Sequence, residues 1–278
     1  MNHANADLET YNINEGAAGA NSWAPVIFER LLAALGPQHW WPVTTRRTSS
    51  LGNRSSANPA AGRSDRRSNP SRADPDTEIV VGAILTQNTA WTNVEQAIDN
   101  LAEANALSWR ALRGLSRSEL ATLIRPSGTY RVKAKRLKSF VDYLWDDHGG
   151  ELKSIFSGDL ETARARLLSI HGIGPETADA ILLYVGGFPT FVVDAYTKRV
   201  LRRHFIIDGR ASYDDVRMLF QNSESAFQNS EPSSGYSQTV VVYKEYHALL
   251  VELGKRHCRT RANCDGCPLA DLPHDETK

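Results

Sequence analysis

The stretch Leu167-Leu168-Ser169-Ile170-His171-Gly172-Ile173-Gly174-Pro175-Glu176-Thr177-Ala178-Asp179-Ala180 constrains this chain more than any other. A helical pattern ends at Ile170, a five-residue turn carries glycines at alternate positions, and Pro175 opens the next helix, where its missing N–H is tolerated. Two glycines let the backbone approach a ligand closely, and free N–H groups at the second helix start form an anion site that suits a phosphate. The same residues also suit a tight hairpin whose glycines serve only the turn. The residues after the hairpin favour the first reading. Tyr184-Val185-Gly186-Gly187-Phe188-Pro189 is a Gly/Pro loop, and Asp194 closes the apolar Val192-Val193 and opens a helix bearing Lys198, Arg199, Arg202 and Arg203. Alone, Asp194 reads as an N-cap. Beside a phosphate-binding surface, a carboxylate needs a further reason.

The rest of the chain is long enough for two ordinary domains and patterned for helices. Its 278 residues are 41% hydrophobic, and apolar positions recur at helical spacing over 78–85, 91–104, 132–147, 160–169, 177–185, 195–204, 213–220 and 239–254. Thr92 with Glu95, and Ser116 with Glu119, read as capping boxes. Strand signals are confined to Phe191–Val193 and Phe205–Ile207. The expectation is a mostly α fold of about nine or ten helices. Thr44 to Ala73 carries seven arginines, one acid and almost nothing apolar, so a disordered insertion is expected there. Asn222 to Ser237 reads as a surface loop. No apolar run reaches the roughly 18–20 residues needed to cross a bilayer, and Met1 to Glu15 is polar and acidic, so a soluble cytoplasmic protein is expected.

Thirty-two basic residues balance thirty-two acidic ones. Zero net charge argues at first against a nucleic-acid protein. The average conceals a segregation: between Arg113 and Lys138 eight cations, Arg131, Lys133 and Lys135 among them, face the single acid Glu119. A run of this kind is usually a solvated face, but here it accompanies the hairpin.

With these motifs together, the sequence resembles the endonuclease III superfamily of DNA glycosylases, over roughly Trp23 to Leu269 without the insertion. The resemblance implies an all-α, two-domain helical DNA glycosylase fold with a helix-hairpin-helix motif. Residues 77–190 would form a six-helix barrel domain. Residues 21–43 with 191–270 would form a second domain, and 1–20 and 44–75 would be a polar tail and the insertion. It also implies that Asp194 is the catalytic carboxylate, that Gly172, Ile173 and Gly174 grip DNA backbone with Arg131, Lys133, Lys135 and Lys198, and that Gln87 in Leu85-Thr86-Gln87-Asn88-Thr89 wedges into the space left by an extruded base. Where bifunctional members carry a lysine nucleophile, this chain has Glu176. A carboxylate cannot form a Schiff base, so a monofunctional enzyme is expected.

Trp40-Trp41-Pro42 and Trp91 supply aromatic surface for a flipped base, and a cationic base gains cation–π attraction from it. The same residues would also serve as ordinary core aromatics. Their arrangement resembles the bacterial 3-methyladenine glycosylase branch, which implies double-stranded DNA with an alkylated purine as substrate, a monomer, and a nucleoid-associated cytoplasmic setting. The alternatives are an endonuclease III-like lyase and a non-catalytic DNA-binding module. Cys258, Cys264 and Cys267 cluster too closely for a disulfide framework and suggest a metal site. They resemble the superfamily's 4Fe–4S loop, but the first gap is one residue short and Pro273 stands where the fourth cysteine belongs. His257 and His274 are neighbouring donors, and a three-cysteine zinc site is the competing reading.

Overall fold

The computed structural model describes residues 20–41, 74–223 and 237–275. Pro42, the 1–19 part of the tail, the 44–73 insertion and most of the 222–237 loop lie outside the described residues. Within them the fold is all-α, with twelve α-helices and no strand. Phe191–Val193 is buried extended chain rather than a strand. Phe205–Ile207 is a turn in which Phe205 takes φ 58°. The chain divides into two compact units, one of residues 1–40 with 189–278 and one of residues 41–188.

The second unit holds α2 (Pro75–Leu85), α3 (Trp91–Glu103), α4 (Trp109–Gly114), α5 (Arg117–Leu123), a 3-10 turn (Arg125–Ser127), α6 (Tyr130–Asp146), α7 (Leu152–Ile155), α8 (Leu160–Ser169), α9 (Pro175–Ile181) and a π-turn (Leu182–Gly186). Helix α2 is its axis. Every residue from Thr77 to Leu85 is buried, as expected of a helix apolar on all sides, and α3, α6 and α9 pack around it. Ser116 and Glu119 form the expected capping box at α5. The one expected from Thr92 and Glu95 does not form, because α3 begins earlier, at Trp91, with Ala90 as its N-cap. The two hairpin helices are joined by Arg164 on α8, which donates to both carboxylate oxygens of Asp179 on α9 at 2.9 and 3.3 Å. Both side chains are almost wholly buried.

The first unit holds α1 (Ala20–Leu35), α10 (Ala195–Arg203), α11 (Tyr213–Asn222) and α12 (Gln238–Arg256). Helix α12 is its axis, with twelve buried residues. Its N-cap Ser237 accepts from the Val240 N–H, and Lys255 and Arg256 lie in the last turn, where the helix dipole favours cations. Phe191 stacks on Phe220 at 3.5 Å between ring centroids, and Trp23, Tyr243 and Tyr246 close the cluster. Near its end α12 touches α10 so closely that a Cβ at Gly254 would lie 2.3 Å from the Tyr196 ring. Only glycine admits that approach, which sets the start of α10 against α12.

Candidate functional site

In the first unit, Asp194 combines two functions of a carboxylate. It is the N-cap of α10: Oδ1 accepts from the Thr197 N–H at 2.7 Å. The other oxygen, Oδ2, lies 3.7 Å from Nε2 of His247 on α12, and both side chains are largely buried. That separation exceeds a direct hydrogen bond, so the contact is electrostatic. Burial alone raises the Asp194 pKa, but the His247 imidazole and the Thr197 N–H outweigh it, and the carboxyl ends below the ordinary carboxylate range. His247 was not found by sequence reasoning, because it lies 53 positions along the chain in a helix with no motif of its own. Its ring meets Trp40 edge to face at 5.7 Å, and the Lys255 ammonium lies 5.5 Å from the centre of the Trp40 ring.

In the second unit the hairpin turn is built around Gly172, at φ +90°. The Arg136 side chain lies against it, 2.2 Å from where a Cβ would stand. Gly174 is different: its backbone is extended, it is the N-cap of α9, and nothing lies near its missing Cβ. Ile173 is buried. Gln87 is drawn to the turn, its Nε2 donating to the Gly172 carbonyl at 3.1 Å and to the Thr177 hydroxyl at 2.9 Å, while Arg136 donates to its Oε1. Gln87, Gly172 and Arg136 thus form one unit of contact, a role that the sequence alone does not assign to Arg136. Glu176 is exposed in the first turn of α9.

Lys133 corrects an expectation. It is 1% exposed, and its ammonium donates to the carbonyls of Leu85 and Ser127 at 2.8 and 2.5 Å. It closes the C-terminal end of α2 from inside and reaches no surface where a phosphate could sit. Burial, with the nearby charge of Arg136, lowers its pKa to about 8. Lys138 likewise closes the end of α4, donating to the Leu112 and Arg113 carbonyls. Arg131 and Lys135 are exposed and line one groove, and Lys198 is half-buried.

The aromatic expectation divides. Trp41 and Trp91 meet edge to face at 5.3 Å, Tyr184 joins Trp41 at 5.1 Å, and a Cβ at Gly82 would touch both tryptophans. Trp41 is buried and Trp91 is partly open. Trp40 belongs to the other unit. It packs in the first unit on His247.

The three cysteines line one small cavity of about 20 Å³ with His257, His274 and Arg203. Buried Arg203 donates to the Cys258 sulfur at 3.2 Å and to the Arg259 and Thr260 carbonyls, and Arg199 donates to the Cys258 carbonyl. Space for about one water, three thiols and a guanidinium bonded to one of them do not fit a four-thiolate cluster. Among the described residues no group of three or more ligating side chains is placed to hold a metal ion. Arg199 and Arg203, read as part of a basic helix face, hold this loop instead.

The family described as the HhH-GPD superfamily base excision DNA repair protein matches residues 81–224. The chain belongs to this family. A provisionally named DNA repair glycosylase of Methanocaldococcus jannaschii is 38% identical over 247 residues, 88% of this chain and 93% of that one. The H. pylori 3-methyladenine DNA glycosylase, solved with 1,N6-ethenoadenine bound, is 27% identical with a TM-score of 0.55, covering 64% of this chain and 84% of its own. A non-covalent endonuclease III–DNA complex shares the fold at 22% identity and a TM-score of 0.58, covering 73% of this chain and 83% of its own. The protein is therefore a DNA repair glycosylase of the HhH-GPD superfamily, acting on DNA.

Proposed function

We propose that this glycosylase hydrolyses the N-glycosidic bond of an extruded alkylated purine resembling 3-methyladenine in double-stranded DNA, without cutting the strand. The observation that carries this reading is Asp194: a carboxylate that caps α10 by accepting from the Thr197 N–H through one oxygen, with the other beside His247 and a pKa below the usual range, so that it is ionised at neutral pH. As the bond from C1′ to the base breaks, its electron pair leaves with the base and positive charge grows on the sugar. An ionised carboxylate stabilises that charge and orients the water whose oxygen bonds to C1′, and the water's proton passes to solvent. An alkylated purine carries positive charge already and departs neutral, so no acid is needed on the base.

The absence of strand cleavage is supported by the position at which an amine would be required. The first turn of α9 presents the Glu176 carboxylate, and the buried Lys133 amine is engaged by two carbonyls. No step is routed through an iron–sulfur cluster, since the cysteines as arranged do not fit one. The test measures release of 3-methyladenine from alkylated duplex DNA by wild type and Asp194→Asn, with borohydride trapping on abasic DNA in parallel. Release by wild type, loss of about two or more orders of magnitude in Asp194→Asn, and no trapped adduct are expected. A trapped adduct would make the enzyme a lyase, and DNA binding without release of any lesion would make the protein a binding module.

A further inference from the structure

A groove of about 1160 Å³ runs over α5, the 3-10 turn, the start of α6 and the hairpin turn. Its volume is a little above the roughly 300–1,000 Å³ of a small-molecule site, which leaves room for a segment of a polymer. Its cations come from separate elements: Arg117 on α5 and Arg125 on the turn, Arg131, Lys135 and Arg136 on α6. Among the described residues no carboxylate lines it. Arg117, Arg125, Arg131 and Lys135 are exposed.

Two further features decide which polyanion it fits. Val132, 49% exposed, is one of the two exposed large hydrophobic side chains among the described residues, and it lies in this groove. Beside it the Arg131 guanidinium lies 5.6 Å from the centre of the Tyr130 ring. Duplex DNA presents phosphates on a convex rod with its bases stacked inside, so it meets a flat cationic face and leaves apolar and aromatic groups in a recess unused. A single strand enters a recess, meets cations along its backbone, and sets bases on aromatic and guanidinium planes. The groove is also continuous with the hairpin turn, because Arg136 lines it while holding Gln87.

We propose that this groove binds an unpaired DNA strand leading away from the hairpin, so that the protein engages lesions beside single-strand–duplex junctions. The inference rests on the reading of the hairpin end as a DNA surface. Its cations would hold phosphates, Tyr130 with Arg131 would stack a base, and Val132 would touch a sugar or base edge.

The test compares the full chain's affinity for a lesion-bearing duplex that is blunt or carries a tail of about ten unpaired nucleotides, a length within the ~4–16 that such grooves occupy, in either polarity. Tighter binding of one tailed form, by about tenfold, is expected. Arg117→Ser with Arg125→Ser should abolish that gain and leave blunt-duplex affinity and base release unchanged. Loss of two phosphate contacts should reduce the salt slope on the tailed substrate by about 1.4, at ~0.7 per contact on a single strand. Equal affinity for blunt and both tailed forms would overturn the proposal, as would equal weakening on blunt and tailed DNA, which would make the groove a duplex contact. A tail preference without base release would instead fault the glycosylase reading of Asp194 and leave the groove standing.

Discussion

Replacing Gly172 by alanine tests how the hairpin is built. The new Cβ meets two separate penalties. At φ +90° an L side chain is strained, at about 1–2 kcal/mol for a left-handed backbone. The Cβ would also lie 2.2, 2.8 and 3.0 Å from Cγ, Cδ and Cβ of Arg136. These are the root of that side chain rather than its flexible end, so relief requires α6 or the turn to move, an overpacking cost of about 1–3 kcal/mol. The sum is about 2–5 kcal/mol, a large part of the ~5–15 kcal/mol that holds a domain together. At ~2–4 °C per kcal/mol for a chain of this size, thermal unfolding should fall by about 4–20 °C.

DNA affinity should fall as well, because a displaced Arg136 releases Gln87 from the turn. Adding Arg136→Ala removes Cγ and Cδ but not the backbone strain, so the double variant should recover the clash component only, and the two changes should be non-additive. Gly174→Ala is the control: its φ is −93° and nothing stands within 4 Å of the added atom, so neither strain nor clash arises and only the weaker N-cap of alanine remains, at about 0.5–1 kcal/mol. A Gly172→Ala protein that melts within about a degree of wild type, or a Gly174→Ala protein that suffers equally, would refute this account of the turn.

Three further outcomes concern the charged groups. Asp179→Ala leaves Arg164 buried without its main partner and should cost about 3–5 kcal/mol in denaturant unfolding, with Arg164→Met added restoring much of it; an unchanged midpoint would show that the pair is not desolvated. Because the folded pKa of Asp194 is depressed, its ionised form persists as pH falls, and the acid limb of base release should lie below the ordinary carboxylate pKa of about 3.9. His247→Phe leaves burial unopposed by the imidazole and should move that limb upward, and a limb that stays in place would remove His247 from the site. His204 is also shifted downward, but there the neutral form is favoured: burial, with the Pro273 carbonyl opposing it, pushes its pKa down to about 4. It is neutral when folded while the unfolded chain protonates near 6.5, so stability is lost as pH falls from about 6.5 toward 4. Amide exchange in 264–275 should quicken over that window and His204→Asn should flatten the effect.

The sequence made legible whatever depends on neighbours along the chain. The hairpin, the Ser116–Glu119 box and most helix spans arise from local spacing, and they stand within a residue or two of expectation. What escaped depends on contacts across the chain. Lys133 sits in a run of cations and looks like the rest, yet it is buried, because the end of α2 offers it two carbonyls. Arg203 resembles its helix neighbours but is consumed by the loop after Cys258. Trp40 and Trp41 are adjacent, and adjacency suggested one pocket; Trp41 joins Trp91 while Trp40 packs on His247. A charge or an aromatic ring states what a side chain can do, and the partner that decides the matter lies tens of residues away.

Asp194 shows why a structural and a catalytic reading of one residue need not compete. A carboxylate that caps a helix is fixed through one oxygen, and the cap directs the remaining oxygen away from the helix axis. Here Oδ1 is held by Thr197 and Oδ2 faces the His247 side. The positive end of the helix favours the ionised form, as does His247, while burial opposes it. A group meant to stabilise positive charge on a sugar must be ionised, immobile and poorly hydrated, and solvent-exposed carboxylates satisfy only the first of these conditions. Capping supplies immobility and charge at once, so Asp194→Asn, which keeps a capping oxygen and removes the charge, separates the two roles. Its stability should stay within about 1 kcal/mol of wild type, while base release collapses. A fall in both together would mean that the cap, and not the charge, is what the site requires.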